Sequence, residues 1–407
     1  MKTAVWSRCI FLAVAGQLVL AGCATPSRFP AVPNAQVSQA STGLGQVRYL
    51  VTRETETFAV EARSALQKEQ LWLASQGHSG PLPPAHFLAI SGGGDNGAYG
   101  AGYLNGWTAA GNRPEFKVVT GISTGALTAP FAFLGPRYDP VLERLFTSIS
   151  QKDIFKRRGI VKGILGDAMA DSRPLASLVA SYVNRQLLDE IGAEYAKGRI
   201  LLVGTTNLDS LEPAVWNMTA IAASKDPKAV ALFRSILMAS AAIPGAFPPV
   251  MLDVDVNGTR HQEMHVDGGT IAQVFLYPPS ISATTSGILP RERHLYIIRN
   301  ARLDAEWENV PRRTLQIATR AIATLTRTQG IGDLYRIYTI ANRDGVEFNL
   351  TFIPSNFDAA HREEFDTNYM KQLFATGRSL GKSGGAWRKY PPGFEAATPA
   401  QAPPGNR

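Results

Sequence analysis

The chain has 407 residues, 45% of them hydrophobic and 18% charged, with a formal net charge of +8. Its two cysteines, Cys9 and Cys23, both fall in a leader region, which excludes a disulfide framework, a thiolate metal cluster or a cysteine nucleophile in the body. The positive surplus is diffuse, densest at Lys156-Arg157-Arg158; it suits a surface near anionic lipid and excludes a nucleic-acid footprint.

Lys2 and Arg8 form a basic start, Cys9 to Leu20 is apolar but too short to span a bilayer comfortably, and small residues follow. The string Leu20-Ala21-Gly22-Cys23 resembles the lipobox of bacterial lipoproteins. That resemblance implies removal of a signal peptide over residues 1–22 and lipidation of Cys23, hence an exported, membrane-anchored protein. Ala24 resembles the residue of lipoproteins sent on to an outer membrane, where the source has one. Residues 23–46, rich in Pro, Ser, Ala and Gln, read as a lipidated tether.

Residues 47–84 read as a helical extension: Leu50, Phe58, Val60, Ala65 and Leu66 recur at helical spacing, and Gly80-Pro81-Leu82-Pro83-Pro84 ends the helix. From His86 the pattern alternates strands and helices, which predicts a mostly parallel central sheet covered on both faces by helices. Strands are expected at 86–91, 116–121, 200–205, 214–218, 261–266, 294–299 and 347–353. Helices are expected after Gly97 and Ser123 and over 174–188, 228–241, 314–342 and 362–378, the fifth interrupted at Gly330 and Gly332. Residues 85–383 fit one large α/β domain, and 384–407 read as a disordered Pro/Gly-rich tail.

Three glycine-bearing motifs each follow a strand-like run. Gly92-Gly93-Gly94-Asp95-Asn96-Gly97 formally matches the dinucleotide fingerprint, but the next strand closes on Thr120-Gly121-Ile122-Ser123 rather than on the ribose-binding acid. Three consecutive glycines instead let backbone N–H groups converge on an oxyanion, beside a helix N-terminus. Gly121-Ile122-Ser123-Thr124-Gly125 places Ser123 on a strand-to-helix elbow, flanked by glycines where the two backbones come too close for side chains. Asp267-Gly268-Gly269 supplies a carboxylate whose basicity would rise on burial beside an uncharged Ser123. The set outlines an acyl-transfer site.

The order of these motifs, with the stretch Met238 to Pro249 that contains Ala239-Ser240 and Phe247-Pro248-Pro249, resembles the patatin-like phospholipase family. That resemblance runs from about Phe87 to Asn300. It implies a three-layer α/β/α sandwich and hydrolysis of acyl esters in (lyso)phospholipids without metal or cofactor. It also implies a Ser123–Asp267 dyad, with Gly92, Gly93 and Gly94 as the oxyanion loop and Gly97, Gly121, Gly125, Gly268 and Gly269 supporting it. Asn96 departs from the family, which usually has arginine there, and Gln273 stands near where it often has asparagine.

Other readings stay open from the residues. His294 or His361 could complete a Ser-Asp-His triad acting on soluble esters, and a non-catalytic lipid- or protein-binding lipoprotein could keep the fold. His261-x-Glu263-x-His265-x-Asp267 would share one strand face, although metal sites rarely draw every ligand from one strand.

Overall fold

A computed structural model describes residues 26–159, 166–277, 291–384 and 387–394. The expected signal peptide, Cys23, most of the expected tail and residues 160–165 lie outside the described residues.

The strands are β1 (Arg48–Leu50), β2 (Ala85–Ile90), β3 (Val118–Gly121), β4 (Lys156–Arg157), β5 (Ala170–Asp171), β6 (Ile200–Asn207), β7 (Glu212–Asn217), β8 (Val250–Val256), β9 (Thr259–Asp267), β10 (Arg293–Arg299) and β11 (Glu347–Phe352). Five of them run parallel in the order β6-β3-β2-β10-β11; β7 and then β1 extend the β6 edge antiparallel. The short β4 and β5 pair separately, antiparallel.

Side chains alternate between two cores, as strand geometry requires. Leu88, Ile90, Leu201, Val203 and Ile298 join the largest cluster on one face. Ala89, Leu295 and Ile297 point into a second on the opposite face, and Ile200 and Leu202 into a third there.

Eleven helices are described: α1 (Thr55–Ser75), α2 (Gly97–Ala109), α3 (Thr124–Leu134), α4 (Asp139–Thr147), α5 (Gln151–Ile154), α6 (Arg173–Tyr182), α7 (Arg185–Ala196), α8 (Met218–Ala223), α9 (Ala229–Ser240), α10 (Thr314–Arg343) and α11 (Thr367–Lys382). α2, α4, α7, α9 and α11 cover the first face; α10 and α1 cover the other. The arrangement is a three-layer α/β/α sandwich, as expected.

α2 and α11 meet backbone to backbone through small residues. A Cβ on Gly102 or Gly106 would lie 2.0 Å from the carbonyl oxygen of Phe374 or Arg378, and one on Gly377 or Gly381 would lie 2.2 Å from that of Tyr99 or Tyr103.

Several expectations are corrected. The extension at 47–84 is not helical from its start: Arg48–Leu50 pairs with β7, and the helix begins at Thr55. The stretch 174–188 breaks at Asn184, whose side chain accepts the Leu187 N–H at 3.0 Å and starts α7. α10 is continuous through Gly330 and Gly332. The expected tether is docked from Arg28 onward: Arg28 forks onto Asp209 at 2.9 and 2.7 Å, Val32 and Val37 are buried, and Ser41 bridges Asp255. The body also continues past residue 383, because Arg388 bridges Leu350 and Trp387 packs on Tyr103 at 5.0 Å.

Candidate active site

β6 sets the geometry of the site. Its first half, Ile200 to Val203, pairs with β3. Beyond the end of β3 at Gly121 its second half pairs with β9, Thr205 opposite Asp267. β9 therefore arrives head-on at the point where β3 stops, bringing Asp267 to Ser123. It runs antiparallel to β6, so Asp267 does not close a parallel strand as the sequence suggested.

Ser123 occupies the turn between β3 and α3 with φ 55° and ψ −126°. That backbone is costly for a non-glycine residue, at about 1–3 kcal/mol. Its surroundings hold it: the Ser123 N–H donates to Ser240 Oγ at 3.0 Å, and the Ser240 hydroxyl donates to the Gly204 carbonyl at 2.7 Å. The flanking glycines have the expected cause. A Cβ at Gly121 would lie 2.5 Å from the Gly125 carbonyl oxygen, and one at Gly125 would lie 2.3 Å from that of Ile90. Gly97 leaves room for Thr124 Oγ1, and Gly268 for the Gly204 carbonyl.

Asp267 is buried beside the Ser123 side chain, which helps stabilise its carboxylate, and the Gly269 N–H donates to Oδ1 at 2.7 Å. Burial raises its carboxyl to about 6, against the opposing pull of those two partners. A carboxylate of that basicity, held against a hydroxyl, can accept its proton near neutral pH.

The glycine loop needs one correction. The Gly92 N–H is spent on the Gln273 carbonyl at 3.1 Å, so Gly92 serves as a spacer: a Cβ there would lie 3.1 Å from that of Ser123. Among the described residues the N–H groups of Gly93 and Gly94 meet no acceptor. Gly94 has φ +58°, and a Cβ on Gly93 would lie 2.2 Å from the Asn300 carbonyl oxygen. Fully buried Asn300 pins this loop, accepting the Gly100 N–H at 3.0 Å and donating Nδ2–H to the Ser91 carbonyl at 2.9 Å. Asn96 accepts the Tyr369 hydroxyl at 2.5 Å.

Neither candidate histidine enters the site. His361 bonds Asp95 at 2.7 Å and stacks on Tyr369, while His294 bonds Glu347 near the start of β10 and stacks on His86. Among the described residues no histidine bonds Ser123 or Asp267. The alternating strand is also explained. Glu263 pairs with Arg48, His265 bonds Thr205 at 2.9 Å and Glu263 at 3.2 Å, and His261 faces the Pro30 and Ala31 carbonyls. Among the described residues no group of three or more His, Cys, Asp or Glu side chains could hold a metal.

A doubly covered, mostly parallel sheet thus carries a serine on a strained elbow with a buried carboxylate beside it. Residues 88–278 match the patatin-like phospholipase family model. β10, β11, α10 and α11 complete the sheet and its layers beyond the matched residues.

Among solved structures, the chain is similar to VipD from Legionella pneumophila, at 13% identity and TM-score 0.37, covering 75% of this chain and 68% of that one. It is also similar to human GIVD cytosolic phospholipase A2, at 10% identity and TM-score 0.32, covering 76% of this chain and 55% of that one. No curated protein matches in sequence.

Proposed function

We propose that the protein cleaves fatty-acyl esters of phospholipids or lysophospholipids with a Ser123–Asp267 dyad, anchored to a membrane through Cys23. Asp267 takes the Ser123 proton as Oγ attacks the acyl carbonyl. The Gly93 and Gly94 N–H groups hold the resulting oxyanion. Collapse expels the alcohol, which leaves with the proton from Asp267 and an acyl-serine behind. The same carboxylate then activates water; its attack releases the fatty acid and returns the proton to Ser123.

The observation that carries this reading is the juxtaposition of Ser123 on its strained elbow with buried Asp267, which the Thr205–Asp267 pairing delivers where β3 stops; burial pushes that carboxyl up to about 6. Work at a lipid surface is supported by the exposed Trp307, Ile317, Ile322 and Leu325, which crowd the first half of α10 and the loop before it. Because Arg28 is docked, the few residues after Cys23 reach at most about 18 Å, which would hold the body close to the bilayer.

Fatty-acid release from mixed phospholipid and lysophospholipid vesicles tests the reading. The parent should release acid and Ser123→Ala should not; equal release by both would refute it. Cys23→Ser should shift the protein from the membrane fraction to the soluble one, and retention in the membrane fraction would remove the anchor.

A further inference from the structure

A cavity of about 320 Å³ adjoins the glycine loop, between the end of β10 and the first half of α10. Gly92 and Gly93 form part of its wall, so it reaches the residue packed on Ser123. Four arginines line it: Arg299, Arg302, Arg320 and Arg327.

Two of these are already engaged. Arg302 pairs with Glu306 at 3.1 Å and donates to the Ser355 carbonyl, and Arg320 pairs with Glu308 at 3.0 Å. The other two have no carboxylate partner among the described residues. Arg327 spends Nε and Nη2 on the Asp304 and Leu303 carbonyls at 3.1 and 2.6 Å, which leaves Nη1 unbonded there.

Arg299 is the more telling. It is only 2% exposed, its Nε is buried without any hydrogen-bond partner, and no bond forms to its remaining nitrogens among the described residues. Asp333 attracts it without bonding; that carboxylate accepts the Gln273 N–H at 2.7 Å and faces Arg336 at 3.4 Å. Burial pulls the Arg299 guanidinium down to about 10; Asp333 opposes that shift and the like charge of Arg327 reinforces it. Room for this side chain is made on purpose: a Cβ on Gly330 would lie 2.3 Å from Arg299 Nη1. The glycine inside α10, which suggested a helix break, is the seat of a buried cation.

A buried guanidinium fork with no partner, beside a second arginine, is an arrangement that an oxyanion completes. We propose that this cavity is a phosphate subsite, in which Arg299 and Arg327 bind the phosphoryl oxygens of the substrate's head group next to the Gly92–Gly93 loop. The assignment rests on the phospholipid reading above and supplies cationic head-group recognition where Asn96 cannot.

Calorimetric titration of the full-length protein with glycerol 3-phosphate, inorganic phosphate and glycerol tests it. Glycerol 3-phosphate should bind most tightly, and Arg327→Gln or Arg299→Gln should weaken it by about tenfold or more, the effect of losing a charge-assisted bond. Equal binding of the two phosphates would overturn the head-group assignment in favour of a free-phosphate site. No preference for either phosphate over glycerol, or parent-like affinity in the folded variants, would overturn the subsite itself. Melting curves check folding, and the half-buried Arg327 keeps the test decisive if Arg299→Gln does not fold. The titration needs no turnover and can be repeated on Ser123→Ala, so its outcome is separate from that of fatty-acid release.

Discussion

Ser240→Ala removes one hydroxyl that serves two buried backbone groups. The Ser123 N–H loses its acceptor at 3.0 Å and the Gly204 carbonyl loses its donor at 2.7 Å. Ser240 is fully buried, so water does not readily replace either bond. An unsatisfied buried polar group costs about 1–3 kcal/mol, which gives a destabilisation of about 2–6 kcal/mol for the pair. The N–H bond also helps hold Ser123 at φ 55°, so its loss should let the hydroxyl drift from Asp267. A displacement of about 1 Å at a reacting group costs roughly 10²-fold in rate. Urea denaturation should therefore show an earlier midpoint, and hydrolysis of a chromogenic ester should show kcat lowered by about 10- to 100-fold with KM little changed. An unchanged midpoint together with unchanged kcat would refute this reasoning. A lower midpoint with full kcat would reduce Ser240 to a packing residue.

Two further predictions concern the same pair of side chains. Burial holds Asp267 at about 6 against an ordinary value of 3.8, so folding favours its protonated form. Its contribution is therefore fully present below pH 3.8 and lost as pH rises through about 6, a swing of about 3 kcal/mol. Asp267→Asn should thus fold more stably than the parent well above pH 6 while losing at least about 10²-fold in turnover, measured by denaturant curves at two pH values and by ester hydrolysis. Replacing His294 and His361 together should leave turnover within about threefold of the parent; loss of about 10²–10⁴-fold, the share of a general base, would restore the triad.

The parts legible in the sequence are those whose cause is local. Gly121 and Gly125 flank Ser123 because strand and helix backbones touch there, and that contact is written into five consecutive residues. β8 carried a readable signal too. Leu252, Val254 and Val256 are buried while Asp253 and Asp255 are exposed, and Asn257-Gly258 turns into β9 with φ 52° and 83°. That hairpin is what delivers Asp267, and overlooking it made β9 look like another parallel strand. β1 is three residues long, too short for periodicity to separate it from the helix that follows. Asn300 and Arg299 have no local signature, and the Ala239-Ser240 motif marked Ser240 without showing what its hydroxyl holds. Their roles depend on which strands end side by side: Ser240 and Asn300 bond groups far along the chain, and buried Arg299 faces a cavity lined by residues distant in sequence. Gly92 shows the converse: the motif singles out a loop beside Ser123, but only the Gln273 carbonyl reveals that this N–H is already taken.

The central claim is that Asp267 is the base for Ser123, and the pH dependence of covalent inactivation by a fluorophosphonate addresses it most directly. Mass spectrometry should place the label on Ser123, and the inactivation rate should rise with loss of a single proton at about pH 6. Asp267→Asn should abolish that rise, whereas the double histidine variant should keep it. A label on another residue, or the same pH profile with Asp267 replaced, would contradict the account.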